Sequence, residues 1–396
     1  MAKIFVIAGG EWQCPLVKKI KNMGHEVICS NLFSDSPAFK YADEGYVADV
    51  LDKETNLKIA QRCMPDAIVT DQSDIAVPTV AFVAEKLGLK GIGTKTAELF
   101  TNKFLMREFC KKNSLPTPQY RFCRTYEEAL ELLKQLGKII IKPIDSQSSR
   151  GVYIITKESD LEEKFIDTVK YSNSEKAVLA EEYIEGPEFT VDGIKTKNSY
   201  WVTGISKKSH FGYNSAIAKE LLFSNYNEEY DYNKLRKENT NLVIKMGLPF
   251  GLTHAEYKYM NGQYYLIEIA ARGGGTKISS DIVPYISGID TYKMYINTLL
   301  GNDEEFTIDY SNKRCAVLGF FDFKPGKIME INGIKEAKIL DGVLDIKLNF
   351  QPGDIIQRAE DDRSRLGHFI LVANSQKELR DLENRVKKLV RIKYVR

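Results

Sequence analysis

Two glutamates, Glu256 and Glu268, lie in apolar strands on either side of an Asn261-Gly262 turn, within THAEYKYMNGQYYLIEIAARGGG. A three-residue loop of Asn261, Gly262 and Gln263 sets Met260 against Tyr264 and Glu256 directly opposite Glu268. A two-residue turn puts the carboxylates on opposite faces instead, so the register is itself an expectation. Directly opposed side chains sit roughly 5 Å apart at Cβ, and two like charges there repel unless a proton or a cation is shared between them. A pair of oxygen ligands suits Mg²⁺, which keeps several waters and is completed by substrate phosphates. Arg272, four residues after Glu268, shares its face and can hold an anionic group, and Gly273-Gly274-Gly275 lets backbone approach that anion closely. The pattern reads either as the metal-and-phosphate end of a nucleotide site or as a surface hairpin with scattered charges.

Two further segments bear on that choice. IIIKP ends a strand at Lys142, and Gln147-Ser148-Ser149-Arg150-Gly151 follows. A loop of small residues offers N–H groups and hydroxyls to phosphate oxygens, Lys142 adds a point charge, and a solvated turn is the alternative. In AEEYIEGPEF an extended run ending at Ile184 can present backbone to an adenine edge. Glu188, after the Gly-Pro turn, can accept hydrogen bonds from two vicinal ribose hydroxyls, or simply mark an acidic strand edge.

These residues need strands and helices to carry them. KIFVIA is a strand, Cys14 to Met23 a helix closed by Gly24, HEVICS and DAIVT further strands, and Val77 to Leu87 a helix. That alternation predicts a parallel α/β sheet over residues 1–95. GGEWQ lacks the G-x-G-x-x-G spacing and Asn31 stands near where a ribose-binding acid belongs, so a dinucleotide is not indicated. Glu11, Gln13, Gln72 and Asp74 fall at strand ends, where they line a substrate pocket or cap helices. A second unit spans 96–300, with a lid at about 120–184: a helix in TNKFLMREFCKK, a break at Pro116-Thr117-Pro118, then KIIIKPI, YIIT and AVLAEEYI as strands among helices at Glu127–Gln135 and Asp160–Lys170. Residues 301–396 turn strand-rich, with RCAVLGFFDF, PGKIMEI and GHFILVA ahead of a charged helix from Gln376.

Bulk properties narrow the function classes. At 396 residues the chain suggests two or three domains, and a net charge of +2 excludes nucleic acid as the main partner. Six scattered cysteines and four histidines make zinc improbable. No secretory signal and no run approaching a membrane span is read, which points to a cytoplasmic protein with reduced thiols.

Taken together, TNKFLMR, IIIKP with SQSSRGV, EEYIEGPEF, HAEYKY and IEIAARGGG, in that order, resemble the ATP-grasp superfamily over about the whole chain. The resemblance implies an α/β N-terminal domain, a two-lobed α+β ATP-grasp domain and a C-terminal β-rich closing lobe. By resemblance, Lys103 and Lys142 bind the α- and β-phosphates, and Ser148, Ser149 and Gly151 belong to the phosphate-covering loop. Glu181, Glu182, Tyr183 and Ile184 form the adenine hinge, Glu188 takes the ribose, and Glu256 and Glu268 hold Mg²⁺, with Mn²⁺ as a substitute. Arg272 stabilises an acyl phosphate. Where the family usually has Asn, this chain has Ala270, which bears on a second metal.

The AAR-plus-glycines variant is similar to the branch of L-amino-acid (dipeptide) ligases and relatives labelled carbamoyl-phosphate-synthase-like. PGKI, QPGD and DDRSRLGHFILVA are similar to the closing lobe of biotin-carboxylase-like members. The implied activity is ATP-dependent joining of a carboxylate to an amine, with an amino acid, a peptide or an amino sugar as substrate. Lys208, His210 and His254 are candidates for a general base, with structural roles as the alternative. A homodimer is compatible with the branch. Bicarbonate activation of the carboxylase or carbamoyl type is a second reading, and an ATP-binding regulatory protein without turnover is a third.

Overall fold

The computed structural model describes residues 1–146, 149–173 and 175–395. The chain is mixed α/β, with a parallel sheet first and antiparallel sheets after it. Strands β1 (Lys3–Ile7), β2 (Glu26–Asn31), β3 (Glu44–Val47) and β4 (Ala67–Val69) form the parallel sheet, in the order β3-β2-β1-β4. Side chains alternate across β1, so Ile4 and Val6 pack on Leu16, Val17 and Ile20 on one side, while Phe5 and Ile7 meet Val83 and Ala84 on the other. Both faces are covered, which is why KIFVI is apolar throughout.

The helix Lys103–Lys112 leads into a small antiparallel sheet of β5 (Tyr120–Cys123), β6 (Ile139–Pro143), β7 (Tyr153–Ile155) and β8 (Val178–Glu182), ordered β5-β8-β6-β7. Asn102 caps the helix by accepting from the Leu105 N–H at 3.1 Å, and the Lys103 N–H donates to the Ile144 carbonyl at 2.8 Å. That fixes Lys103 beside the end of β6, close to Lys142.

The largest sheet has eight strands. Its members are β9 (Glu188–Lys195), β10 (Tyr200–Phe211), β11 (Asn214–Ser224), β12 (Gly251–Met260), β13 (Gln263–Ala270), β14 (Cys315–Phe320), β16 (Val343–Leu348) and β18 (Gly367–Ala373). Their order is β13-β12-β9-β10-β11-β14-β18-β16, so the C-terminal strands extend the sheet that carries the glutamates. A three-stranded sheet of β15 (Gly326–Asn332), β17 (Ile355–Ile356) and β19 (Arg391–Tyr394) completes the chain. No helix among the described residues is long and apolar enough to cross a membrane.

The β12–β13 hairpin corrects one expectation. Its turn is two residues long, pairing Met260 with Gln263, not three. Asn261 and Gly262 have φ of 51° and 79°, the positive values a type I′ turn demands. Yet Glu256 does stand opposite Glu268, because the register shifts between Tyr257, which faces Leu266, and Glu256. Ile267 is the extra residue of a β-bulge, and it rotates Glu268 back onto the face of Glu256.

Gly186 joins the small sheet to this hairpin. It has φ +127°, and a Cβ there would stand 2.2 Å from the Tyr259 carbonyl oxygen. Gly186→Ala is expected to lower stability by at least ~2 kcal/mol, since both backbone atoms and dihedral must shift. A urea-denaturation midpoint equal to that of the parent would show that the connection yields freely.

Candidate active site

A cavity of about 590 Å³ lies between the small sheet and the eight-stranded sheet, walled also by the first sheet's loops and the C-terminal strands. Lys103, Lys142, Ser149, Glu181, Glu182, Tyr183, Ile184, Glu188, Lys208, His254, Glu256, Glu268 and Arg272 all line it. Ser148 lies outside the described residues, and Gly151 is buried behind the loop, where a Cβ would meet the Tyr171 ring at 2.6 Å. Of the four strand-end residues, Glu11, Gln72 and Asp74 line the cavity; Gln13 is buried and donates to the Asp71 carbonyl at 2.7 Å.

Glu188, Glu256 and Glu268 each have a lysine in contact. Lys208 Nζ stands 2.6 Å from both Glu188 Oε1 and Glu256 Oε1, and His210 Nε2 lies 3.3 Å from the other oxygen of Glu188. Lys103 Nζ is 2.8 Å from Glu268 Oε2 and donates to the Ser146 carbonyl. The opposed glutamates are therefore held by different lysines, one from within the sheet and one from the helix beside β6. Burial raises the carboxyl pKa of Glu188, but Lys208 and His210 outweigh it and draw it down to about 2. Glu256 is likewise held well below its ordinary range by Lys208 and His254, against the effect of burial. Both are ionised acceptors at neutral pH.

Glu181 is more deeply buried, 1% exposed, and shares its carboxylate between Arg107 at 2.5 Å and Lys142 at 2.5 Å. Arg107 is fully buried and also donates to the carbonyl of the bulge residue Ile267 at 2.6 Å. Burial lowers the Lys142 pKa more than Glu181 restores it. At the adenine-hinge positions, then, the Glu181 side chain belongs to a buried ion triad, and Glu182, Tyr183 and Ile184 follow along the cavity wall. Arg107 stands in TNKFLMR but received no role from the sequence, because its partners are 74 and 160 residues away.

Arg272 is tied to the first sheet. Its Nε and Nη2 meet the two oxygens of Asp74 at 2.9 and 2.8 Å, a bidentate pair across 198 residues. The glycines after it serve close packing. Gly273 N–H donates to Asp71 at 2.7 Å, Gly274 N–H donates to Asp192 at 3.2 Å, and a Cβ on Gly273 would lie 2.0 Å from Ser279 Oγ. The anions those amides approach are the protein's own carboxylates, and Gly275 alone of the three borders the cavity.

The three base candidates differ in circumstance. Lys208 bridges two carboxylates, which raises its pKa against burial. His254 Nδ1 lies 2.9 Å from Asp192, and its Nε2 lies 3.8 Å from Glu256. Burial alone would depress the imidazole, but Asp192 raises it to about 9. The C-terminal strands add residues that sequence reasoning left without roles. His368 and Lys277 both reach Asp345, Trp12 stands edge-on to His368 with centroids 5.8 Å apart, and Arg365 lies 3.8 Å over the Phe320 ring.

Among the described residues, no group of three His, Cys, Asp or Glu side chains is arranged to enclose a metal ion. Glu256 and Glu268 instead make a pair of hard oxygen donors on one face, the number Mg²⁺ takes when substrate phosphates supply the rest. The residues present fit that ion.

Residues 137–281 match a family model described as ATP-grasp domain, and residues 319–395 match one described as L-amino acid ligase C-terminal domain 2. A formate-dependent phosphoribosylglycinamide formyltransferase of Sulfurisphaera tokodaii is 30% identical over 188 residues, covering 46% of this chain. That match spans about half of the relative's own length, 47%. An L-arginine-specific L-amino acid ligase of Bacillus subtilis is 23% identical over 363 residues, or 86% of this chain and 84% of the relative. Among solved structures, the L-amino acid ligase from Bacillus licheniformis superimposes with a TM-score of 0.82 at 21% identity, over 100% of this chain and 99% of its own. At that identity the likeness is one of fold.

The His254–Asp192 pair generates a pH dependence. The folded pKa of about 9 lies above the ordinary 6.5, so the pair's contribution is complete below about pH 6.5 and is lost as pH rises through about 9. Against His254→Gln, the parent is expected to be more stable by roughly 3 kcal/mol at pH 6, with the gap closing toward pH 10. A gap independent of pH in chemical denaturation would mean that His254 is neutral in the fold.

Proposed function

We propose that this chain, which carries an ATP-grasp domain with an L-amino-acid-ligase-type C-terminal domain behind it, is an ATP-dependent carboxylate–amine ligase. It forms an amide through an acyl phosphate and releases ADP and phosphate, acting in the cytoplasm on an amino acid, a peptide or an amino sugar. The observation that carries this reading is the pair Glu256 and Glu268, opposed on one face and each gripped by its own lysine, with Arg272 lining the same cavity.

The chemistry follows from where charge stands. The substrate carboxylate attacks the γ-phosphorus, the bond to the β-phosphate oxygen breaks, and ADP leaves. The amine then attacks the acyl carbon and phosphate departs. A Mg²⁺ ion held by Glu256 and Glu268 would neutralise triphosphate charge. Lys103 and Lys142 bind phosphate oxygens; each already stands against a carboxylate in the cavity, so the anion it meets is added to a site that is electrically balanced. Glu182 to Ile184 border the adenine, and Glu188, ionised and fixed by Lys208, accepts from the ribose hydroxyls. Arg272 holds the anionic oxygen of the acyl phosphate or the carboxylate of the acid, oriented by Asp74. The small sheet, with Ser149 in the cavity wall, covers the site and keeps water from the intermediate. With Ala270 where the family usually has Asn, the carboxylates this chain offers the metal are Glu256 and Glu268.

Glu268→Gln is expected to keep the fold and lose turnover by about two orders of magnitude, because an amide does not neutralise a cation. Full activity in that variant would make the opposed carboxylates irrelevant to catalysis.

The reaction class is tested by isotope. With ¹⁸O in the carboxylate of the acid, one labelled oxygen should appear in the released phosphate, and ADP release should need a specific acid and rise with an amine. Arg272→Ala should suppress the coupled reaction by about tenfold or more. ADP release that depends on bicarbonate and ignores organic acids would favour carboxylation. Nucleotide binding with no ADP release under any pool of acids and amines would favour a regulatory protein.

A further inference from the structure

A second cavity, of about 890 Å³, opens on the other face of the eight-stranded sheet. Strand β10 runs between the two: Lys208, which lines both, reaches Glu188 and Glu256, His210 Nε2 lies 3.3 Å from Glu188 on the front, and Lys207 and Ser209 border the rear cavity. Its volume is that of a small-molecule site.

Its charges do not balance internally. Lys207 is paired with Glu229 at 3.0 Å and Arg380 with Glu220 at 2.8 Å, so those cations are met. Arg236, Lys313 and Arg314 also line the cavity and make no ion pair among the described residues, against a single unpaired lining carboxylate, Glu228. Arg236 is the telling member. It comes from the helix Tyr232–Lys245, lies over the Tyr310 ring at 4.4 Å, and donates only to neutral oxygens, Asn233 Oδ1 at 2.8 Å and the Asn225 carbonyl at 2.5 Å. Its Nε is buried without an acceptor. Burial without a counter-charge depresses its pKa, the mark of a cation in want of an anion. The helix Gln376–Leu389 begins at the same cavity, with Ser375 and Gln376 in its wall, and adds the positive end of its dipole.

We propose that this rear cavity binds a small molecule bearing a carboxylate or phosphate group, at a site separate from the one that takes ATP. Arg236, Lys313 and Arg314 line a space large enough for a metabolite, and an oxoanion supplies the charge that the lining lacks. The site stands independently of the ligase reading, since none of Arg236, Lys313 and Arg314 borders the front cavity.

Calorimetric titration of the full chain with inorganic phosphate and, separately, citrate tests this and distinguishes the two oxoanions. At least one probe should bind once per chain, with affinity falling as salt rises. Arg236→Gln and Lys313→Glu should each weaken that binding by about tenfold, while Lys103→Gln, in the front cavity, should leave it unchanged. Lys313 is exposed, so its variant decides the matter if Arg236→Gln fails to fold. Absence of binding by both probes, binding unaffected by Lys313→Glu, or binding abolished by Lys103→Gln would overturn the proposal.

Discussion

Two carboxylates set against each other across neighbouring strands are the constraint around which the rest of the cavity is arranged. Left alone, Glu256 and Glu268 would repel, and burial would drive a proton onto one of them. The chain answers with lysines on separate elements: Lys208 from β10 and Lys103 from the helix that begins beside the end of β6. Neither lysine can move far without exposing the repulsion, so the positions of β10 and of that helix are coupled to the hairpin. Arg107 adds a third tie, joining the carbonyl of the bulge residue Ile267 to Glu181 of the small sheet. Hairpin, helix and small sheet are thereby locked into one frame by charge.

Stability alone does not account for this many buried ions. Replacing a buried pair with well-packed apolar side chains is often neutral or favourable, whereas removing one partner is costly. The Arg107–Glu181–Lys142 triad is better understood as a device for position. It holds a lysine at the end of β6, with its ammonium in the cavity wall, where an apolar substitute would leave nothing to aim. The same logic applies to Glu188, whose two oxygens are oriented by Lys208 and His210.

Local features of this arrangement were legible in the sequence, and distant ones were not. The parallel first sheet followed from short apolar runs alternating with amphipathic stretches, and Asn261-Gly262 marked the turn. The opposition of Glu256 and Glu268 was also reached, though by way of a three-residue loop that does not exist. The actual device is the bulge at Ile267, and its trace is the consecutive pair Leu266-Ile267, which breaks the period of two just ahead of Glu268. The glycine run was read as room for a ligand, but Gly273 and Gly274 instead admit Ser279, Asp71 and Asp192. Arg272 with Asp74, and Lys347 with Glu11 across 336 residues, depend on how whole sheets are packed, and no local pattern encodes them.

Those long-range pairs give the first sheet a part in shaping the cavity. Asp71, Gln72 and Asp74 follow the carboxyl end of β4, the edge where an open parallel sheet presents its loops to a ligand. From there Asp74 grips both guanidinium arms that Arg272 turns toward it, Asp71 accepts from Gly273, and Glu11 reaches Lys347 of β16. The strand that bears Glu268 and the strand that closes the far edge of the same sheet are both tied to loops from the first 74 residues. A bidentate Arg–Asp pair fixes orientation as well as charge, so Arg272 lines the cavity in an alignment set by Asp74. An anion entering beside Arg272 would have to share it with Asp74, so on the proposed reading the first sheet would help decide how strongly Arg272 holds an acid substrate.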